Sequence, residues 1–424
     1  MTGQGYTERT LTDDEMRAIV AAAAGELNAD GKNVLVIVPD HTRTCPLPAM
    51  ARALHENLAP KAAKLDFLIA LGTHPPMPTE HIERHFGVEP GQWEKVFGQS
   101  KAFNHEWRNE DALMHVGTLK ADEIDQISGG LFQMDVKVTV NRLVFDYDRI
   151  LICGPVFPHE VVGFSGGNKY FFPGICGAEL LNFFHWLGAV ITNPKIIGTK
   201  QTPIRATVDR AAQMLKVDKF ALCMVTTKEG LFGLYFGSPE EAWSAAADLS
   251  AKIHITYMDR SFDSILARSP EMYDDIWTAG KCMYKTEPIV ADDGELIIYA
   301  PHVTEISYTH GAVLDEVGYH TRDYFLGQWD KFKDYPWGVL AHSTHVRGIG
   351  SYVDGMEKCR VKVTLATGIP EERCRKVNLG YLDPASIDID DWRGRENEGR
   401  LYIPRAGEML YKLKDPPEWQ KFNK

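Results

Sequence analysis

Side chains able to act as acids, bases or anion ligands follow three apolar segments of the chain, each where a predicted strand ends. They are Asp40, Thr42 and Arg43 after the first segment, His74 after the second, and His159 and Lys169 after the third. In open α/β sheets, ligands bind outside the carboxyl ends of the strands. A carboxylate, a guanidinium, two imidazoles and an amine delivered to one edge therefore predict an active site there.

Each of these residues also fits a structural role. Asp40 is of a residue type that caps helices and forms Asx turns. Arg43 fits a surface charge as well as it fits bidentate recognition of a carboxylate. A single histidine is often structural, but His74 and His159 both follow strands and lie beside prolines, which favours a functional role for them.

The stretch GFSGGNKYFFPGI combines a glycine turn with a lysine. Gly163, Gly166 and Gly167 allow backbone N–H groups to turn toward one phosphate, and Ser165 adds a hydroxyl donor. The stretch does not fit a P-loop, because Lys169 is neither preceded by glycine nor followed by serine or threonine. Magnesium-nucleotide chemistry is unsupported, whereas a place for a single phosphate remains.

Apolar strand-like runs alternate with helix-like segments, which predicts an α/β fold with mainly parallel sheets covered on both faces. The predicted strands lie at 32–40, 65–74, 148–156, 219–226, 264–269, 294–301, 337–344 and 361–368, and the predicted helices at 49–60, 177–190, 205–216 and 323–333. The two series of strands indicate two lobes, 1–255 and 256–424, with the active site in the cleft between them. The last residues, YKLKDPPEWQKFNK, are expected to form a solvated tail.

Composition excludes several classes of protein. With 46 basic and 58 acidic residues the formal net charge is −12, which argues against binding to nucleic acid or anionic lipid. The seven cysteines include no C-x-x-C pair, so neither a thiolate zinc site nor a disulfide framework is indicated. The chain has no apolar signal core and no membrane-length apolar run, so we expect a cytoplasmic protein. Neither lobe carries G-x-G-x-x-G after its first strand.

Candidates further along the chain are ambiguous on sequence alone. His185 lies among aromatic residues, a setting typical of a core histidine. Lys281, at a predicted helix start, fits either an anion ligand or a surface charge. His342 and His345 have the spacing of a metal-binding pair, but no third ligand is evident.

These motifs, in this order, resemble those of the lactate racemase family of nickel-pincer enzymes. The matching elements are D-H-T-R (Asp40 to Arg43), G-T-H-P-P (Gly72 to Pro76), H-x-x-x-G-F-S-G-G-x-K (His159 to Lys169) and His185 at the family's spacing. The resemblance covers most of the chain and is more specific in the first lobe than in the second.

The resemblance implies a covalently bound nickel-pincer nucleotide, a pyridinium mononucleotide whose ring carries nickel held by carbon and sulfur. Lys169 would attach the nucleotide through a thioamide, and His185 would be the nickel ligand. The other cofactor contacts would be Asp40, Thr42, Gly163, Ser165, Gly166 and Gly167. The acid/base residues would be His74 and His159, and the substrate would be bound by Arg43, Thr278, Lys281 and Trp329.

The implied activity is inversion at C2 of a 2-hydroxy acid. One histidine would remove the hydroxyl proton while hydride passes from Cα to the cofactor, and the transient 2-keto acid would receive the hydride on its opposite face. Neutral imidazoles near pH 7 suit this proton transfer. The resemblance also implies transient binding to the enzymes that make and insert the cofactor.

The sequence departs from the family pattern at several positions. Asn168 stands where arginine is usual, and Thr278 stands where glutamine is typical. Glu305, Tyr308 and His310 occupy a segment that is glycine-rich in the family. These changes predict a pocket for a larger polar 2-hydroxy acid, such as a sugar acid, rather than lactate. A nicotinamide-type oxidoreductase and a ligand-binding protein without turnover remain the alternatives.

Overall fold

The computed structural model describes residues 1–422, along which helices and strands alternate. The strands are β1 (Thr2–Gly5), β2 (Asn33–Pro39), β3 (Lys64–Ala70), β4 (Ala102–Asn104), β5 (Leu113–Leu119), β6 (Val136–Asn141), β7 (Arg149–Pro155), β8 (Pro158–His159), β9 (Gly163–Phe164), β10 (Asp218–Thr227), β11 (Gly230–Gly237), β12 (Ile255–Met258), β13 (Phe262–Arg268), β14 (Val290–Ala300), β15 (Gly350–Val353), β16 (Met356–Cys359), β17 (Lys362–Thr367), β18 (Gly380–Tyr381), β19 (Arg400–Ile403) and β20 (Leu410–Leu413). The helices are α1 (Asp13–Leu27), α2 (Leu47–Leu58), α3 (Thr79–His85), α4 (Trp93–Phe97), α5 (Ala121–Ser128), α6 (Ala178–Ile191), α7 (Asn193–Ile196), α8 (Pro203–Gln213), α9 (Pro239–His254), α10 (Ile276–Ala279), α11 (Lys281–Tyr284), α12 (Gly311–Val317), α13 (Arg322–Leu326), α14 (Trp329–Phe332), α15 (Trp337–Arg347) and α16 (Glu371–Lys376).

The chain divides into two compact units and passes between them more than once. The N-terminal unit comprises Met1–Phe157, Phe164–Leu181 and Arg205–Ile253, and the C-terminal unit comprises Pro158–Gly163, Asn182–Ile204 and His254–Lys424. The domains 1–255 and 256–424, and the cleft between them, stay predictions. The last two positions, 423 and 424, lie outside the described residues.

The N-terminal unit is built on a seven-stranded sheet with the order β1-β11-β10-β7-β2-β3-β4. The strands from β10 to β4 are parallel, and β1 and β11 extend the sheet in antiparallel fashion. In β2 every residue from Val34 to Val38 is buried. Because both faces of this strand are covered, every one of these positions is apolar, and the sequence shows a continuous apolar run rather than an alternation.

The C-terminal unit contains a second sheet with the order β18-β17-β14-β13-β19, in which all pairs are parallel. Two parallel sheets with intervening helices confirm the predicted α/β fold with mainly parallel sheets. In both sheets the carboxyl ends of neighbouring parallel strands lie on one edge.

Two structural predictions in the second half of the chain are wrong. The apolar run at 337–344, expected to be a strand, lies in helix α15. Positions 338 to 346 of that helix are all buried, so the helix shows no polar face, and an apolar run without periodicity fits a buried helix as well as a strand. The expected solvated tail is ordered, since β20 pairs with β12, Gln420 is buried, and Trp419 packs under the guanidinium of Arg360.

His105, buried in the N-terminal unit, makes the stability of the fold depend on pH. Its Nε2 lies 3.0 Å from the carbonyl oxygen of Cys176 and its Nδ1 lies 3.2 Å from Nδ2 of Asn141, so the neutral ring is fully paired. Burial lowers the pKa of His105 from 6.5 to about 4, against the opposing hydrogen bond to Cys176. The unfolded chain therefore binds more protons, and stability is lost as pH falls below 6.5.

We expect acidification from pH 7 to pH 5 to cost about 2 kcal/mol through His105. Urea unfolding of the parent and of His105→Gln at both pH values measures this contribution. The variant is expected to lose correspondingly less stability on acidification, and the exposed His41→Gln serves as the matched control. An unchanged pH dependence in His105→Gln would contradict the assignment.

Candidate active site

Asp40 and His74 form a hydrogen-bonded pair at the carboxyl edge of the N-terminal sheet. Strands β2 and β3 are parallel neighbours, so the residues that follow them meet at the same edge. Nδ1 of His74 bonds to Oδ2 of Asp40. Oδ1 of Asp40 accepts hydrogen bonds from the N–H of Thr42 at 3.1 Å and from its hydroxyl at 2.7 Å. Asp40 therefore forms an Asx turn and also holds the imidazole.

The charges and hydrogen bonds around Asp40 keep its carboxyl group ionised. Burial alone would raise the pKa of Asp40, but the charges of His74 and Arg43 and the hydrogen bonds from His74 and Thr42 hold it well below its usual range. The ionised carboxylate can only accept, so Nδ1 of His74 carries a proton. When the ring is neutral, Nε2 carries the lone pair, and on a side chain that is 24% exposed it can accept a proton from a substrate.

Backbone hydrogen bonds connect the loop of His74 to the turn that carries Lys169. The N–H of Gly72 donates to the carbonyl of Gly174 at 3.0 Å, and the N–H of Gly174 donates to the carbonyl of Lys169 at 3.1 Å. Gly72 has a φ of 57°, a conformation that favours glycine. The structure thus brings the Asp40–His74 pair and Lys169 together within one unit.

Lys169 is the one partly exposed residue between positions 161 and 170, where every other residue is buried. Gly166 and Gly167 have φ values of 84° and 59°, and a Cβ on Gly167 would lie 2.8 Å from Cβ of Trp243. Only glycine fits such a turn without displacing its neighbours. The partly exposed side chain of Lys169 is therefore attached to a tightly packed backbone turn.

Ser165 is held by the backbone of its own turn. Its hydroxyl accepts a hydrogen bond from the N–H of Phe157 at 2.9 Å and lies 3.4 Å from the carbonyl oxygen of Pro155. The predicted contacts of Ser165, Gly166 and Gly167 with a phosphate stay predictions.

The side chain of Asn168, in the same turn, donates hydrogen bonds to two carboxylates. Its side chain is 1% exposed, and Nδ2 donates to Oδ1 of Asp209 at 3.0 Å and to Oε1 of Glu240 at 2.7 Å. Burial raises the pKa of Asp209, while the guanidinium of Arg205 opposes that rise. The amide therefore serves as a shared donor between two acidic groups.

Replacement of Asn168 by aspartate is expected to destabilise the protein by about 2–3 kcal/mol, because it exchanges the shared donor for a third acceptor. Urea unfolding at pH 7 measures the change. Asn182→Asp is the matched control, since Oδ1 of Asn182 already accepts the N–H of Gly338 at 2.8 Å and aspartate can do the same. Equal stabilities of the two variants would contradict this role of Asn168.

His159, in the C-terminal unit, also has a carboxylate partner. Its Nδ1 accepts the N–H of Val161 at 3.1 Å and lies 3.3 Å from Oε2 of Glu160. The first contact suits the neutral ring and the second stabilises the protonated ring. The nearby Gly163 has a φ of 90°, and its carbonyl accepts the N–H of Gly198 at 2.9 Å.

His185 is a partly exposed residue on the otherwise buried aromatic segment of helix α6. The next residue, Trp186, stacks on Trp329 with the ring centroids 5.3 Å apart and the planes at 7°. Trp329 therefore lies against the helix that carries His185. The role of His185 as a nickel ligand stays a prediction.

Thr278 and Lys281 follow strand β13 in the same unit. Asp275 caps helix α10 and accepts the N–H of Thr278 at 2.9 Å. Lys281 begins helix α11, is 8% exposed, and places Nζ 4.5 Å from the centroid of the Tyr273 ring. Lys281 is thus buried against an aromatic ring, and its interpretation as a surface charge is wrong.

His342 and His345 lie on helix α15. The His342 ring stacks on Trp277 at 4.2 Å, and His310 packs on the same indole at 4.4 Å. Burial lowers the pKa of His345 to about 4. Among residues 1–422, no group of three or more His, Cys, Asp and Glu side chains is placed to hold a metal ion.

Several residues that contact or neighbour the predicted site residues escape sequence reasoning. Glu160 follows His159 directly, and an adjacent carboxylate could have drawn attention to it. Arg205 and Trp243 contact the carbonyls of the Lys169 turn, and they offer no sequence signal because they are far away along the chain.

Comparison with known proteins shows that this chain is similar to lactate racemases. The model of the lactate racemase N-terminal domain matches residues 15–197. Lactate racemase of Thermoanaerobacterium thermosaccharolyticum is 25% identical over 281 residues, covering 64% of this chain and 61% of that protein. Lactate racemase of Lactiplantibacillus plantarum is 25% identical over 229 residues, covering 53% and 49%. The matches thus span about half to three fifths of the length of these relatives.

Solved structures extend the likeness over nearly the whole chain. A structural-genomics protein from Thermotoga maritima superposes with a TM-score of 0.89 and 34% identity, covering 97% of this chain and 100% of that one. The lactate racemase apoprotein from T. thermosaccharolyticum superposes with a TM-score of 0.72 and 19% identity, covering 93% and 92%. The N-terminal part of the chain is thus similar to the lactate racemase N-terminal domain, and the fold is similar to that of the lactate racemase apoprotein. Within residues 1–422, no helix has the length and apolar character needed to cross a membrane.

Proposed function

We propose that this protein is a racemase or epimerase that inverts C2 of a 2-hydroxy acid. The observation that carries the proposal is the presence of two imidazole–carboxylate pairs, Asp40–His74 and Glu160–His159. Inversion needs two groups able to exchange the hydroxyl proton, because the two enantiomers present that hydroxyl in different directions. A carboxylate beside each imidazole stabilises the proton that each ring must carry for part of the cycle.

The residues present fit a nickel-pincer nucleotide. The two positions that would hold it, Lys169 and His185, are the partly exposed members of otherwise buried segments. A primary amine can form the covalent link, and an imidazole is an ordinary nickel ligand. When bound, the nucleotide supplies a centre that accepts and returns a hydride. The cofactor-forming enzymes would be transient partners.

In the proposed reaction, His74 and His159 transfer the hydroxyl proton of the substrate. Nε2 of His74 presents a lone pair because Asp40 fixes the proton on Nδ1, so His74 accepts the hydroxyl proton of one enantiomer. His159, when protonated beside Glu160, would return a proton to the oxygen. In the reverse reaction the two histidines exchange these roles, as microscopic reversibility requires.

The substrate we propose is a larger polar 2-hydroxy acid rather than lactate. The cationic groups Arg43 and Lys281 suit its carboxylate. The polar segment after β14 is ordered, since Glu305 pairs with Arg373 at 2.6 Å and His310 packs on Trp277 beside Thr278. These side chains add polar and aromatic surface, which suits a larger polar substrate better than the methyl group of lactate.

Chiral chromatography after incubation of the nickel-loaded protein with single enantiomers tests the proposal. The panel contains lactate, a longer aliphatic 2-hydroxy acid and a polyhydroxylated one. We expect inversion of the polyhydroxylated acid at a kcat/KM at least about tenfold above that for lactate. Failure to invert any of them, with cofactor loading shown by mass, would overturn the proposal.

A further inference from the structure

Arg205 is a fully buried cation behind the turn that carries Lys169. Its side chain is 1% exposed, and Nη1 lies 3.9 Å from Oδ1 of Asp209. Burial lowers the pKa of Arg205 to about 10, so the group is still charged at neutral pH. Burying a guanidinium is costly unless the group is paired and hydrogen-bonded, so the polar contacts of Arg205 must offset that cost.

Those contacts are the carbonyls of the glycine turn. The guanidinium donates to the carbonyl oxygen of Phe164 at 2.5 Å and to that of Gly166 at 3.3 Å. The carbonyl between them, that of Ser165, accepts the indole N–H of Trp243 at 2.9 Å. The guanidinium also lies 4.0 Å from the centroid of the Trp243 ring. Three successive carbonyls are therefore held by one cation–π pair.

Holding these carbonyls fixes the direction of the neighbouring N–H groups and of Lys169. In a planar trans peptide the N–H points opposite to the C=O, so the N–H of Gly166 points away from Trp243. The carbonyl of Gly166, which Arg205 holds, also accepts the N–H of Lys169 at 3.3 Å. A direct chain of contacts thus runs from Arg205 through Gly166 to the backbone of the lysine.

We infer that Arg205 and Trp243 are positioning residues that set the direction of the Lys169 side chain for covalent attachment of the cofactor. The inference rests on the proposed function for its biological meaning. The positioning itself can be measured in the unloaded protein. Arginine is needed because one planar group must reach two carbonyls, which a lysine ammonium at the same place cannot match.

The variants for the test are Arg205→Lys, which keeps the charge, Arg205→Met, which removes it, and Trp243→Phe, which removes only the indole donor. Arg210→Lys is the matched control, since Arg210 lies on the same helix and pairs with Glu123 away from the turn. Trp243→Phe keeps the test decisive if Arg205→Met fails to fold, because it deletes a single hydrogen bond and keeps an aromatic ring.

Two measurements are made on variants whose thermal unfolding shows a folded protein. The first is the rate at which acetic anhydride modifies Lys169 in the unloaded protein, taken from peptide masses and compared with the exposed Lys61. The second is the fraction of chains that carry an adduct on Lys169 after co-expression with the cofactor-forming enzymes. We expect both to change at least about fivefold in Arg205→Lys and Trp243→Phe, with Arg210→Lys unchanged.

The outcomes separate the inference from the function on which it rests. Lys169 reactivity and loading equal to those of the parent in both Arg205→Lys and Trp243→Phe would overturn the inference. If the parent carries no adduct on Lys169, the proposed function fails, and the reactivity measurement still decides whether the two residues position the lysine. Changed reactivity at Lys61 as well would show a general loss of structure and would also overturn the inference.

Discussion

Replacement of Lys169 by alanine is expected to abolish cofactor attachment and to lower the rate of C2 inversion by at least about 10⁴-fold. The reason is that direct abstraction of a proton from the Cα of a 2-hydroxy acid is difficult. The histidines of this chain can move only the hydroxyl proton. Without an attached hydride acceptor, the remaining residues bind the substrate but have no path for the Cα hydrogen.

The measurement is intact-protein mass with nickel analysis, followed by the inversion assay. The parent is expected to carry one adduct and about one nickel per chain, and Lys169→Ala neither. Lys61→Ala, a change at an exposed lysine of the same unit, is expected to match the parent. If Lys169→Ala bound the same nickel-containing adduct as the parent, the attachment site would be wrong.

Replacement of either paired histidine is expected to lower inversion by about 10²–10⁴-fold, which is the usual contribution of a positioned acid or base. The two variants should differ in which enantiomer they still oxidise. If His74 serves one enantiomer and His159 the other, then His74→Gln should form 2-keto acid from a single enantiomer, and His159→Gln should form it from the opposite one.

Trapping of the keto acid with phenylhydrazine measures this half-reaction for each pure enantiomer. Asp40→Asn should resemble His74→Gln in its enantiomer preference but with a smaller loss, because the imidazole is kept and only its fixed orientation and charge partner are removed. Equal losses for both enantiomers in both histidine variants would contradict the separate assignment of the two bases.

Seven of the eight strands that the sequence predicts are present in the fold, for a physical reason. Strands such as β2 are buried on both faces, so they consist of uninterrupted apolar runs, rich in β-branched residues, that stand out from their surroundings. The same rule fails at helix α15, which is also buried all round and has lost the polar face that normally identifies a helix. Burial on every side removes the periodicity on which such predictions depend.

The site is predictable where its residues follow strands and not where they come from distant parts of the chain. Asp40 and His74 are found because parallel strands bring their carboxyl ends to one edge. Arg205 and Trp243 lie 41 and 78 residues from the carbonyls of Phe164 and Ser165 that they hold, so their roles emerge only from the fold. The two carboxylates that accept hydrogen bonds from Asn168 are likewise 41 and 72 residues away from it along the chain.

In the proposed mechanism, C2 is inverted by a hydride that never exchanges with water. The most direct test uses one enantiomer of the best substrate with deuterium at C2, incubated with loaded protein in ordinary water. Mass spectrometry of the separated product enantiomer then reports whether the label survives. We expect deuterium to be retained at C2 of the inverted product. Complete replacement of that deuterium by hydrogen from water would contradict the mechanism.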